Sequence, residues 1–190
     1  MIEKHAIFTD SIIMSEIIDK NFNNKILKTF KENNKKSNIR SSRFGFQTQN
    51  IDNSNINNII IKKCLECLKH SYKPLKNNLK IILNNLWINK NTKGSYNVPH
   101  QHPNSNFSGV FYVSVTKDCG ELVFLRNDKS TAFLENSKFF QSHDFYTTFT
   151  IKPKNNLFIL FPSNLEHLVN LNYSNEPRIS ISFNVSLKYV

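Results

Sequence analysis

The sequence of 190 residues predicts an α+β domain, with helices in its first half and a sandwich or jelly roll of antiparallel strands in its second. The helices are expected to pack on one sheet. Two observations lead to this prediction. Up to Leu86, apolar residues recur mostly at three- and four-residue steps, which is typical of amphipathic helices. From Trp87 onward, short runs rich in Val, Ile, Phe, Tyr and Thr follow at close spacing, which is typical of strands.

The first half contains three predicted helices. They run from Ile13 to Phe30, from Ile56 to Leu68 and, after an interruption at Pro74, from Leu75 to Leu86. A polar stretch from Glu32 to Ser42 predicts a loop. The run RFGFQTQN, which precedes the second helix, predicts a short strand.

The second half contains six strand-like runs: SGVFYVSV, ELVFL, YTTFTI, LFILF, HLVNL and RISISFNVSL. In the last run, the polar residues that share one face are Arg178, Ser180, Ser182 and Asn184. In an ordinary sandwich this polar face would lie in solvent. In a jelly roll with a polar interior and outer helices it would point inward, and the strand pattern alone leaves both arrangements open.

The length fits a single domain over residues 1–190, with residues 1–86 as a mainly helical support region and residues 87–190 as the jelly-roll core. The first residues carry charges where a secretory signal would be apolar, and no later segment has the length of a membrane span. We therefore expect a cytoplasmic protein with no membrane partner. The odd number of cysteines, three, predicts reduced thiols.

The formal charge of +11 raises the question of a nucleic-acid partner. Lysine is spread along the chain together with Asn and Ile, and only Lys28 to Arg43 is locally dense in positive charge. Nucleic-acid binding is therefore disfavoured, although it stays an alternative that predicts affinity falling steeply with salt. The first amphipathic helix could pack on its own sheet or on a neighbouring copy, and we expect a homodimer.

Three of the six histidines lie where a metal site can form. His100 and His102 are two residues apart, so on a strand both imidazoles would share one face and could chelate one ion. A third ligand could come from His167, which follows the apolar run LFILF. A His-x-His pair near Pro and Asn residues is more often part of a polar surface loop than of a metal site. The prediction of a metal site therefore depends on residues further along the chain.

Arg178 strengthens the pattern, because it follows His167 by eleven residues, enough for a strand, a turn and a returning strand. Its planar guanidinium suits a carboxylate. Ser180 lies one strand period later on the same face and could donate a further hydrogen bond to that carboxylate. The three histidines, Arg178 and Ser180 together form a specific constellation.

The ordered blocks HQHPNSNFSGVFYV, GELVF, FPSNLEH and RISISFN resemble the 2-oxoglutarate and Fe(II)-dependent oxygenase family, within the cupin-like double-stranded β-helix superfamily. FGFQTQN and LWINKNTKGSYN also fit, so the resemblance covers about three quarters of the chain. It implies that His100 and His167 bind Fe(II), and that Arg178 anchors the distal carboxylate of 2-oxoglutarate. Ser180 would bind the co-substrate beside it.

The chain departs from the superfamily pattern at His102, which stands where Asp or Glu is expected. The resemblance thus implies a metal site of three histidines, His100, His102 and His167. In a second registration, His102 is the first ligand and Asn104 takes the carboxylate position. We prefer the first.

The resemblance implies a dioxygenase that uses oxygen and 2-oxoglutarate to hydroxylate a substrate which the sequence does not identify. Trp87, Asn97 and Tyr112 are candidates for its pocket. The alternative is a cupin-like metal-binding protein or metalloenzyme that does not use 2-oxoglutarate and does not need Arg178. The spacing of Cys64 and Cys67 is that of some zinc and redox motifs, but no second pair follows, so we interpret both as structural residues of a helix.

Overall fold

The computed structural model describes residues 10–34, 37, 40–72, 78–126 and 148–189. The helices in these ranges are α1 (Lys20–Asn33) and α2 (Ser54–Ser71). The strands are β1 (Ile13–Glu16), β2 (Ser42–Arg43), β3 (Phe46–Gln47), β4 (Leu79–Asn91), β5 (Tyr96–His100), β6 (Phe107–Ser114), β7 (Leu122–Leu125), β8 (Thr148–Ile151), β9 (Leu157–Pro162), β10 (His167–Val169) and β11 (Arg178–Tyr189).

The strands form two antiparallel sheets. One has six strands in the order β1-β9-β6-β11-β4-β3, and the other has five in the order β2-β5-β10-β7-β8. Strands that are distant in sequence lie next to each other in both sheets, as expected for a jelly roll. The two sheets with two helices confirm the predicted α+β class.

The helices cover the outer face of the six-stranded sheet. Asp19 caps the start of α1, because its carboxylate accepts hydrogen bonds from the backbone N–H groups of Asn21 and Phe22. Phe22 then packs on Phe111 of β6, with ring centroids 5.3 Å apart. None of the helices in the described ranges is long and apolar enough to cross a bilayer.

A second apolar cluster lies between the two sheets. It includes Phe161 from the six-stranded sheet and Phe124 from the five-stranded sheet, whose ring centroids are 5.0 Å apart. Along β9, Phe158 and Leu160 belong to the helix-side core, whereas Ile159 and Phe161 belong to this inner cluster. The six-stranded sheet is therefore buried on both faces, so its strands need not show a single apolar face.

The polar face of β11 points inward. Ile181 and Phe183 belong to the helix-side core, while Arg178, Ser180 and Ser182 line a cavity between the sheets. The arrangement is thus the jelly roll with a polar interior, not the ordinary sandwich.

β4 pairs with β11 along its whole length and contains a β-bulge. Asn85 is opposite Asn184 and Leu83 is opposite Val185, so Asn84 is an extra residue in the strand. Beyond the bulge, Trp87 and Asn89 line the interior cavity. The bulge therefore lies next to the polar interior.

Two of the three predicted helices need correction. The predicted helix from Leu75 to Leu86 is wrong, because β4 begins at Leu79; residues 73–77 lie outside the described ranges. In the predicted helix from Ile13 to Phe30, residues 13–16 form β1, an edge strand paired with β9. The second predicted helix is confirmed as α2.

Candidate metal centre

Three imidazoles meet between the sheets. His100 ends β5 and His167 begins β10, and the two residues are direct partners in the antiparallel ladder. His102 follows β5 by two residues, and its backbone N–H donates a 2.9 Å hydrogen bond to the carbonyl of Ser163. The candidate ligand atoms of the three side chains all lie within 4.8 Å of one another. The structure therefore brings the predicted histidines into one cluster.

Backbone carbonyls fix the tautomers of two of these imidazoles. The Nδ1 atom of His100 is 2.8 Å from the carbonyl oxygen of Val98, and the Nδ1 atom of His167 is 2.8 Å from that of Leu165. A carbonyl oxygen can only accept, so each Nδ1 carries the proton. Each Nε2 then keeps its lone pair for an ion, and the carbonyl holds the ring orientation.

The environment keeps the three imidazoles neutral. Burial, together with the neighbouring His100 and His102, lowers the pKa of His167 to about 3, and burial together with His100 and Arg40 lowers that of His102 to about 4. Burial also lowers the pKa of His100. All three lone pairs are therefore available near neutral pH, as metal binding requires.

Ser41 and Asn97 form a hydrogen-bonded group beside His100. The Ser41 hydroxyl lies 3.2 Å from Nε2 of His100 and accepts a 3.0 Å hydrogen bond from Nδ2 of Asn97. Since Nδ1 of His100 carries the proton, the Ser41 hydroxyl donates to Nε2. An ion at Nε2 would take over this lone pair. Sequence reasoning missed Ser41 because it lies in a stretch without periodicity.

Arg178 is the buried cation of the site, with only 3% of its surface exposed. Its Nη1 donates to the carbonyls of Cys119, at 3.0 Å, and Gly120, at 2.6 Å. Its Nε is buried without a hydrogen-bond partner in the described structure. Gly120 has φ +87, and a Cβ atom there would collide with the carbonyl of Asn170. The guanidinium is thus held by two backbone carbonyls, while its buried Nε has no partner among the described residues.

The predicted site residues all line one inner cavity of about 50 Å³: Trp87, Asn97, His100, His102, Tyr112, His167, Arg178 and Ser180. Tyr112 lies deep, with the guanidinium carbon of Arg178 at 6.0 Å from its ring centroid. Trp87 lies next to the histidine cluster, with its ring centroid 5.8 Å from that of His102. Asn104, the ligand of the second registration, lines only an outer groove.

The residues present fit both groups that the sequence resemblance implies. Three neutral imidazoles suit a divalent transition-metal ion. A buried guanidinium with an unused donor suits a carboxylate, since an unpaired buried cation is costly. No Asp or Glu in the described part of the chain lines the cavity. The volume of the cavity, about 50 Å³, is smaller than that of typical ligand pockets, so its side chains would have to move outward to admit a five-carbon acid.

Two of the three cysteines lie away from this site. Cys64 and Cys67 are buried in the helix-side core, and Cys119 is buried beside Arg178. Burial raises the pKa of both helical thiols, which makes them poor metal ligands and nucleophiles. This agrees with a structural role for Cys64 and Cys67.

Solved structures with the same fold include a 2OG-Fe(II) oxygenase family member and a prolyl-4-hydroxylase. A 2OG-Fe(II) oxygenase family oxidoreductase from Burkholderia pseudomallei is similar with a TM-score of 0.67 and 13% identity, over 92% of this chain and 85% of that one. A Pseudomonas putida prolyl-4-hydroxylase is similar with a TM-score of 0.63 and 12% identity, over 94% of this chain and 93% of that one. HygX from Streptomyces hygroscopicus, with nickel and 2-oxoglutarate bound, is similar with a TM-score of 0.62 and 10% identity, over 94% of this chain and 83% of that one. These likenesses show the double-stranded β-helix fold.

The sequence comparisons give the family. No curated protein matches the chain. A family model described as "Putative 2OG-Fe(II) oxygenase" matches residues 85–184, more than half of the chain. The matched segment begins in β4 and ends in β11, so it contains the histidine cluster and Arg178. The chain therefore belongs to the 2OG-Fe(II) oxygenase family, as the sequence predicts, and is an enzyme that uses Fe(II) and 2-oxoglutarate.

Proposed function

We propose that His100, His102 and His167 hold the Fe(II), and that Arg178 and Ser180 bind the distal carboxylate of 2-oxoglutarate in a hydroxylation reaction. One observation carries this assignment. A buried guanidinium without a carboxylate partner in the described structure lines the same cavity as three neutral imidazoles. A metal and a dicarboxylate together would satisfy both groups.

The chemistry supplied by bound Fe(II) is the use of oxygen to hydroxylate a substrate C–H bond while 2-oxoglutarate is converted to succinate and carbon dioxide. The protein holds the ion through Nε2 of His100 and His167, whose rings are oriented by the carbonyls of Val98 and Leu165. His102 completes the set of donors. Because all three are neutral, no proton has to leave them before the ion binds.

Arg178 orients the co-substrate. Its two bonds to backbone carbonyls fix the guanidinium, and its buried Nε has no partner among the described residues, so a carboxylate that enters the cavity lined by Arg178 could accept a hydrogen bond from it. Ser180 offers a hydroxyl on the same face of β11. Burial raises the pKa of Tyr112 to about 12, so its phenol stays protonated and can donate a hydrogen bond there.

Of the three predicted pocket residues, Trp87 is best placed to contact the substrate. It lines the outer groove as well as the inner cavity, whereas Tyr112 and Asn97 line only the inner cavity. We therefore assign Trp87 to the substrate, Tyr112 to the co-substrate, and Asn97 to the support of Ser41 and His100.

An anaerobic Fe(II) titration, with and without 2-oxoglutarate, tests the assignment. A weak visible charge-transfer band should form only when both are present. In Arg178→Gln, Fe(II) should still bind while the band needs at least about tenfold more 2-oxoglutarate, because a charge-assisted hydrogen bond is lost. Lys188→Gln, an exposed position on the same strand, should behave like the wild type. Equal bands in both variants would remove Arg178 from the co-substrate site.

We also propose that the chain forms one domain and assembles as a cytoplasmic homodimer. The edge strand β1 supports the dimer, because Met14 is 53% exposed and nearby Ile18 is 80% exposed. The free thiols suit a reducing compartment. Light scattering of the wild type and Ile18→Lys tests the dimer, and a monomeric wild type would contradict it.

A further inference from the structure

An outer groove leads to the metal centre. Its volume is about 670 Å³, within the range of small-molecule sites. The residues that it shares with the inner cavity are Ser41, Gln47, Trp87, His100 and His102. A substrate in this groove would therefore reach the candidate iron between Trp87 and the histidines.

The groove is polar but contains no anion. Its carboxamides are Gln47, Asn84, Asn85, Gln101, Asn104 and Asn184. Each carboxamide can both donate and accept, so the set suits a ligand with several neutral polar groups. No carboxylate among the described residues lines the groove, and Arg40 is its only permanently charged side chain there.

Arg40 is available for a ligand. It is exposed, and its guanidinium has no partner among the described residues; its carbonyl accepts a hydrogen bond from Arg43. Its charge lies near the histidine cluster, because Arg40, His100 and His102 line the same groove. It also lines a smaller neighbouring recess with Asn50 and Asn85. Arg40 thus lines both the recess and the groove that contains His100 and His102.

The charge balance of the centre favours an anion as well. A divalent ion held by three neutral imidazoles keeps both of its charges, whereas a carboxylate ligand would remove one. Glu166, which precedes His167 in the chain, lines neither the groove nor the cavity. Bound 2-oxoglutarate would compensate Arg178 and one charge of the ion, so a cationic substrate would still meet Arg40 and the remaining charge of the ion, with no carboxylate among the described groove residues to offset them.

We propose that Arg40 binds an oxyanion of the substrate, so that the enzyme acts on molecules carrying a carboxylate or phosphate next to neutral polar groups and rejects cationic ones. This inference rests on the proposed function, because it places the substrate beside the proposed iron ligands. The anion can belong to a small acid, to an acidic peptide segment or to a nucleotide, which share this chemistry.

The single tryptophan of the chain, Trp87, reports binding without turnover. Its fluorescence is titrated in protein loaded with Zn(II) and 2-oxoglutarate. The probes are acetyl-Ala-Xaa-Ala-amides with Glu, Gln or Lys at Xaa, thymidine with and without a 5′-phosphate, and lactate against lactamide. We expect at least one acidic probe to bind about tenfold more tightly than its neutral partner, and the Lys peptide to bind most weakly. The pair with the largest ratio identifies the source of the anion.

Arg40→Gln should reduce the acidic-to-neutral ratio to about one. Lys80→Gln removes the same charge from an exposed position on β4 that does not line the groove, and it should keep the wild-type ratio. If the ratio survives in Arg40→Gln, or no acidic probe binds the wild type better than its neutral partner, the proposal is overturned.

The proposed function and the role of Arg40 can be refuted independently of each other. The proposed function is tested by the Fe(II) and 2-oxoglutarate band, which does not involve Arg40. A normal band without preference for acidic probes would overturn only the role of Arg40. Charge preference without a band would leave Arg40 as an anion-binding residue and overturn the iron assignment.

Discussion

The two faces of β11 differ in chemistry although both are buried. On the helix side, Ile181 and Phe183 are fully buried among apolar side chains. On the inner side, Arg178 and Ser180 are each only 3% exposed, yet they are polar and line a cavity. Burial of the first face can only stabilise the fold, whereas burial of the second costs free energy until a ligand satisfies it. Alternation along one strand thus separates stability from chemistry.

Removal of a metal ligand should have the largest effect on the inner face. His167→Ala should lower Fe(II) affinity by more than about a hundredfold and abolish succinate formation, because it removes one of the three proposed ligands and leaves only two imidazoles to hold the ion. The metal-free variant should melt close to the wild type. His70→Ala, on the exposed end of α2, is the matched control and should change neither property. Fe(II) affinity is measured by anaerobic titration, and a value near the wild type would exclude His167 as a ligand.

A truncation on the opposite face should show the reverse pattern. Phe183→Ala should lower the free energy of unfolding by about 3–5 kcal/mol, because it removes a ring that stacks on Phe158 at 5.4 Å. The folded fraction should keep its Fe(II) affinity. Urea unfolding followed by metal titration at low temperature checks both. Loss of metal affinity in the folded protein would mean that the two faces are coupled.

The metal ligand set can be tested by restoring a carboxylate. His102→Asp should keep Fe(II) binding and turnover, because it creates the two-histidine, one-carboxylate set, whereas His102→Ala should bind Fe(II) at least about tenfold more weakly. Asn104→Asp should have little effect if the preferred registration is right. An increase in Fe(II) affinity in Asn104→Asp alone would favour the second registration.

Acid should lower the melting temperature of the metal-free protein gradually. His102 and His167 have folded-state pKa values of about 4 and about 3, below the ordinary value of 6.5, so the unfolded state binds more protons. The stability of the metal-free protein is then complete above pH 6.5 and falls as the pH drops toward 4. We expect the melting temperature to fall by at least about 5 °C over this range, and by less in His102→Gln. A pH-independent difference between the two proteins would refute this.

The sequence predicts the polar face of β11, because its period of two residues survives in the fold, but the strand pattern alone does not say that this face points inward. The expected strand spacing of the histidine pair is only partly kept, because β5 ends at His100 and His102 lies beyond it. It does not predict β1 or the start of β4. Ile13, Ile17 and Ile18 have helical spacing, but residues 13–16 are held by pairing with β9, a contact distant in sequence. In β4 the bulge at Asn84 breaks the two-residue period, so the apolar pattern looked helical.

The candidate site shows the same limit. His100, His102, His167 and Arg178 stand in recognisable blocks, whereas Ser41 and Arg40 come from a stretch that predicts only a loop. Their roles depend on the approach of this stretch to β5, where the carbonyl of Ser41 accepts a hydrogen bond from the N–H of Val98. Such a contact leaves no periodic signal in the sequence.

The bulge in β4 has a consequence for changes in chain length. Deleting a residue of a regular strand moves every following side chain to the opposite face. Asn84 is different, because Leu83 and Asn85 already pair with consecutive residues of β11, so its loss would leave a regular ladder. Asn84 also lines the groove, where its Nδ2 donates to the hydroxyls of Ser105 and Ser186. A one-residue deletion here would reshape the substrate entrance and leave the histidines and Arg178 in register.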